Sequence, residues 1–162
     1  MLELVRWLSV HLPGSVALRG SAYGFSAILT AHVLALAVFA GLVVMMDLRL
    51  VRLGHRHAGA GEMHERLFPW FIGAFVLTVL SGLTMVWVDP VRYYGKTFFW
   101  AKLALMALAG VNAALVRRAS RRDSGFWEGA GARAAGVRSL VLWAGVVALG
   151  RLTAYEWMTT EY

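Results

Sequence analysis

The stretch AILTAHVLALAVFAGLVVMMDLRLVRLG, residues 27–54, decides the fold. It runs for nearly twenty residues without a charge, broken only by His32, before Asp47 and Arg49 close it. A helix needs about 20 apolar residues to cross about 30 Å of hydrocarbon, so this run reads as a membrane span. Three further runs of the same kind follow. The four spans are expected at about residues 23–50, 67–88, 98–116 and 139–155. None alternates polar with apolar residues, which excludes the strands of a closed barrel, the other way of satisfying the backbone in lipid. The expected fold is therefore all-α: an integral membrane four-helix bundle forming one transmembrane domain over residues 1–162. Ahead of the first span, LELVRWLSVHL places Leu2, Val5, Leu8 and Leu12 on one helical face, with Glu3 and Arg6 off it. That pattern predicts an interfacial helix over about residues 2–12.

Composition agrees. Of the 162 residues, 59% are hydrophobic, and the mean hydropathy is +0.63. Soluble domains carry roughly 45–50% apolar residues. There is no cysteine, which excludes disulfides, thiolate metal sites and cysteine nucleophiles. The first twenty residues hold Pro13 and two glycines and lack a long apolar stretch, so no cleavable signal peptide is expected.

The net charge of +7 is carried between the apolar runs. It therefore speaks for membrane orientation and against a nucleic-acid partner. The first connection, VRLGHRHAGAGEMHER, holds Arg52, Arg56 and Arg66 beside Arg49, and the third, RRASRRDSGFWEGAGARAAGVR, holds six arginines. The second, DPVRYYGK, is short and starts at a helix-stopping Asp89–Pro90. Loops one and three lie on the same side and are expected in the cytoplasm, with both termini external, in a bacterial inner membrane. Trp87, Tyr93, Tyr94, Trp100, Tyr155 and Trp157 mark the outer boundary, and Phe68 and Trp70 the inner one.

An ionisable side chain in a span costs about 2.5–3.5 kcal/mol and normally faces protein or water. His32 stands about nine residues from the outer end of the first span, and Lys102 and Arg151 each about four from the outer ends of the third and fourth. At about 1.5 Å per residue these depths agree within roughly 8 Å. Tyr155 follows Arg151 by one helical turn. The residues thus predict a basic, partly buried cluster in the outer half of the bilayer, built from three helices. Against this, Lys102 and Arg151 are shallow enough to snorkel, and an imidazole at His32 has the alternative of an interhelical hydrogen bond. A neutral imidazole ligates metals, haem iron included, and lysine and arginine beside it attract an anion such as a propionate. His32 is the expected metal ligand, and His11, at the outer surface, the other histidine within reach as a second axial ligand.

Other polar residues invite simpler readings. Asp47 and Arg49 read as an ion pair at the inner interface, and Asn112 as an interhelical hydrogen bonder. Ala37, Gly41, Gly73, Ser81, Gly145 and Ala148 are small residues suited to close helix approach. His55, His57, Glu62, His64 and Glu65 cluster in the first loop, at a spacing that matches no metal motif.

The stretches RGSAYGFSAILTAHVLALAVFAGLVVMMDLRLV, LFPWFIGAFVLTVLSGLTM, FFWAKLALMALAGVNAALV and SLVLWAGVVALGRLTAY resemble the successive signatures of an uncharacterised bacterial four-helix membrane family ending in G-R-x-x-A-Y. More distantly, the chain is similar to HemJ-like protoporphyrinogen oxidases and to CopD-like copper-resistance membrane proteins. The HemJ-like resemblance implies haem b, with His32 and Lys102 at the functional histidine and lysine positions. The function expected is a haem b-binding, redox-active membrane protein, with His32 as axial ligand and Lys102, Arg151 and Tyr155 around the propionates. The alternative is a non-enzymatic role, in copper transport or as the accessory subunit of a membrane complex. The expected partners are the lipid bilayer and a porphyrin.

Overall fold

A computed structural model describes residues 7, 11, 14–21, 23–53 and 59–159. Among them the chain is helical, with no strand: α1 (Ser15–Gly20), α2 (Gly24–Leu50), α3 (Ala60–Val88), α4 (Pro90–Tyr94), α5 (Thr97–Arg122) and α6 (Ala130–Thr159). A 3-10 turn, Ser124–Glu128, joins α5 to α6. Helices α2, α3, α5 and α6 are each long and apolar enough to cross a membrane, and the protein is a multi-pass membrane protein built as a four-helix bundle. Trp7 and His11 are helical, and the rest of the interfacial helix expected over residues 2–12 lies outside the described residues.

Three of the long helices outrun their apolar segments. Helix α3 starts at Ala60, α5 continues to Arg122 and α6 starts at Ala130. The backbone has no reason to unwind where side chains turn polar. Glu62 near the start of α3, paired with Arg66 at 2.8 Å, and Arg121 and Arg122 in the last turn of α5 suit the helix dipole. The short second connection is itself helical. Asp89 caps α4 by accepting from the Arg92 N–H at 3.4 Å, and Pro90 takes the first position, where its missing N–H costs nothing. Helix α2 closes with Arg52 in the left-handed region at φ 64°, the Leu53 N–H donating to the Leu48 carbonyl at 3.0 Å. Arg52 then hydrogen-bonds the Glu128 carbonyl, tying the first connection to the third.

The core is narrow. Phe39 of α2, 1% exposed, packs on Phe71 and Phe75 of α3 and edge-on against Trp143 of α6, with ring centroids 5.2, 5.6 and 4.7 Å away. Large apolar side chains such as Val38, Leu80, Leu108 and Val141 face outward, as lipid-covered helices require. Helix α2 packs along both α3 and α6, and α5 packs along α6, whereas α3 and α5 have no comparable seam. Gly136 sets the α2–α6 approach: a Cβ there would stand 2.9 Å from Leu50 Cβ and 3.2 Å from the Asp47 carbonyl oxygen. Gly145 does the same against Leu105 of α5, at 2.8 Å. Gly41 and Gly73, expected at helix contacts, face open space instead.

Candidate functional site

His32 lies half-buried between α2 and α3, where Gly82 makes room for its ring: a Cβ on Gly82 would come 3.2 Å from the His32 Cε1. Its Nδ1 is 2.9 Å from the Ser81 Oγ. Ser81 donates its own hydroxyl hydrogen to the Leu77 carbonyl at 2.7 Å, with the Thr78 carbonyl at 3.1 Å. With the Ser81 hydroxyl hydrogen on the Leu77 carbonyl, its oxygen accepts from the imidazole, the arrangement in which the Nδ1 carries the hydrogen and the Nε2 keeps its lone pair. The Ser81 contact holds the imidazole in one orientation, as outer partners do for metal-ligating histidines.

Lys102 joins His32 from α5. Its ammonium is close enough to act electrostatically on the imidazole. Its stem passes Gly150 of α6, where a Cβ would lie 3.8 Å from the Lys102 Cδ, and its Nζ sits 5.4 Å from the Phe99 ring centroid. Arg151, next to Gly150, leaves α6 about 100° further round and is exposed, as is Tyr155 at 52%. Two of the expected residues, His32 and Lys102, are thus partly buried within the bundle, while Arg151 and Tyr155 stand on its surface. His11 is exposed and stacked on Trp7, centroids 4.3 Å apart, and its Nδ1 bonds the Trp7 carbonyl at 2.8 Å. At the same end, the Tyr93 ring lies tilted against Phe99 at 5.5 Å, and burial pushes its phenol above the ordinary 10.0.

The opposite half of the bundle, beside the arginine-bearing loops, holds a cavity of about 180 Å³ among α2, α3, α5 and α6. Asp47, 6% exposed, lines it. It does not form the interfacial pair with Arg49 that its position suggested. Residues two apart on a helix point about 200° apart. Arg49 lines a groove on the far side of α2 with Gly41 and Met45, while Asp47 turns inward and lines the cavity together with Ser139 of α6. Its Oδ2 has no hydrogen-bond partner. Asn112 is the interhelical bonder its sequence setting suggested: its Nδ2 donates to the Ala135 carbonyl at 3.1 Å, and its Oδ1 accepts from the Arg138 Nε at 3.2 Å.

Of the histidines in the first connection, His55 and His57 lie outside the described residues. His64 belongs to α3, its ring tilted against those of Trp127 and Phe68 with centroids 4.9 and 5.6 Å away. Among the described residues no three His, Asp or Glu side chains come together as a metal site. The inward turn of Asp47 is the feature that sequence reasoning missed. Its signal was a lone acid inside an apolar run.

Residues 7–156 match a family of unknown function, DUF6644. No curated protein matches the chain, and no solved structure does. The expected kinship with an uncharacterised family is thereby met, while the more distant likeness to HemJ-like and CopD-like proteins finds no match.

Proposed function

The chain belongs to this family of unknown function, and we propose from its own residues that it is a haem b-binding redox protein of a bacterial inner membrane. The observation that carries this reading is the contact of the His32 Nδ1 with the Ser81 Oγ at 2.9 Å: an imidazole held there through an Nδ1–H would offer its Nε2 lone pair to a metal. Lys102 supports it, because an ammonium that acts electrostatically on the imidazole suits a ligand with carboxylates and repels a bare cation. Of the residues present, His32 would hold the iron of a haem and Lys102 a propionate. Arg151 and Tyr155 enter only as surface partners of a propionate, and His11 offers the other histidine at this end. Bound haem supplies one-electron transfer. His32 would orient it, Lys102 would balance its charge, and Ser81 would hold the imidazole in place.

Orientation belongs to the same proposal. Arg117, Arg118, Arg121, Arg122 and Arg133 stand at the end of the bundle away from His32, which supports a cytoplasmic location for that end and an external one for both termini.

Reduced-minus-oxidised spectra of wild type and His32→Ala, both expressed with ample haem, test the reading. A Soret band in wild type that is lost in the variant supports it. A wild type without haem absorbance refutes it in favour of the transport or accessory class, and a variant that keeps its haem unchanged refutes the ligand. Orientation is read by single cysteines in this cysteine-free chain. An impermeant reagent should label Tyr94→Cys and spare Gly125→Cys in intact cells, and the reverse pattern refutes it.

A further inference from the structure

We propose that the cavity beside Asp47 binds a small hydrophobic amine, with its ammonium on the Asp47 Oδ2 and its body among the surrounding aromatic rings. This site lies in the other half of the bundle from His32 and does not rest on the haem reading.

Three observations converge. First, the Asp47 Oδ2 is, among the described residues, the buried side-chain polar atom with no hydrogen-bond partner. An unpaired carboxylate in an apolar interior is costly, so the oxygen calls for a proton or a cationic donor. The neighbouring cations do not supply one. Arg138 donates to Asn112, Arg117 lies 4.4 Å over the Phe68 ring, and Arg49 lines the far side of α2. Second, the cavity walls are aromatic as well as apolar: Phe68, Phe71, Phe75 and Trp143 line it. Ring faces attract an ammonium, and a carboxylate among aromatic rings favours an amine over a neutral molecule of the same shape. Asn112 adds no competing demand, since both ends of its amide are already bonded.

Third, size and access match. At about 180 Å³ the cavity has room for one ring and a short arm, given that a cavity of roughly 150 Å³ holds benzene. It is partly open, and its lining includes Ile72 of α3 and Gly110 and Ala113 of α5, all exposed, on the two helices that lack a packed seam. The opening therefore faces the bilayer, where hydrophobic amines concentrate.

Benzylamine and benzyl alcohol share a ring and a length and differ in charge at neutral pH, so they are the probes. The full chain in neutral detergent is followed by thermal unfolding and by tryptophan fluorescence, to which Trp143 contributes. Benzylamine should raise the Tm saturably, and benzyl alcohol at equal concentration should not. Asp47→Asn removes the charge at nearly constant volume and should weaken the benzylamine response at least about tenfold. Gly110→Leu puts bulk at the opening while leaving Asp47 in place. A Cβ there meets nothing within 4 Å, so the variant should fold, and it too should lose the response. No benzylamine response, an equal response to benzyl alcohol, or a benzylamine response unchanged in either variant overturns the proposal. If Asp47→Asn fails to fold, the comparison of probes on wild type and on Gly110→Leu decides the question alone.

Discussion

Replacing Gly136 by alanine tests the close approach of α2 and α6, the seam that brings Asp47 to Ser139. The added Cβ would stand 2.9 Å from Leu50 Cβ and 3.2 Å from the Asp47 carbonyl oxygen. Unstrained carbon atoms rest at about 3.5–4.0 Å, so roughly 0.6 Å or more of overlap must be relieved. Leu50 Cβ and a backbone oxygen cannot rotate away as the tip of a long side chain would. The helices must separate, at the cost of about 1–3 kcal/mol typical of overpacking. Alanine also gains up to about 1 kcal/mol over glycine in helix propensity, which would mask part of that cost. Gly41→Ala on α2 is the matched control, because a Cβ there meets nothing within 4 Å. The propensity gain is shared by both variants, so their difference isolates the steric term. Gly136→Ala should therefore be less stable than Gly41→Ala by about 1–3 kcal/mol, read by reversible unfolding of both proteins in one mild detergent. If Gly136→Ala matches or exceeds its control, the α2–α6 seam is not tight and the argument that it positions Asp47 fails.

Asn112→Ala should destabilise by about 0.6–1.7 kcal/mol, the range of single interhelical hydrogen bonds in membranes. A thermal shift indistinguishable from that of the outward-facing control Val111→Ala would count against the bond to Ala135. Ser81→Ala should leave the bundle folded but free the His32 Nδ1, weakening retention of haem about 10–100-fold; titration of the apoprotein with haem measures it, and unchanged affinity would separate Ser81 from the ligand. For Tyr93 the folded phenol titrates above its unfolded value because burial opposes the phenolate. Its contribution is therefore full below pH about 10 and is lost as pH rises through the higher folded value. Stability of wild type should fall more steeply above pH about 10 than that of Tyr93→Phe, and parallel alkaline profiles would refute the assignment.

Sequence alone determined the spans and the depths of the polar residues within them. Lipid exacts about 20 apolar residues from any helix that crosses it, and about 1.5 Å per residue turns position into height. That is why His32 and Lys102 were legible as neighbours in depth. The helix ends were not, because hydropathy stops at the headgroups while the backbone continues: α6 starts at Ala130, nine positions before the apolar run expected from residue 139. Direction was the other thing only tertiary structure decided. In water one apolar stripe on a polar helix tells inside from outside. A span such as α2 is apolar on every side, so nothing along it shows which face its neighbours will cover. Packing against α6 therefore turned Asp47 into the bundle and left Arg49 outside, and packing against Gly150 brought Lys102 in while Arg151 stayed exposed.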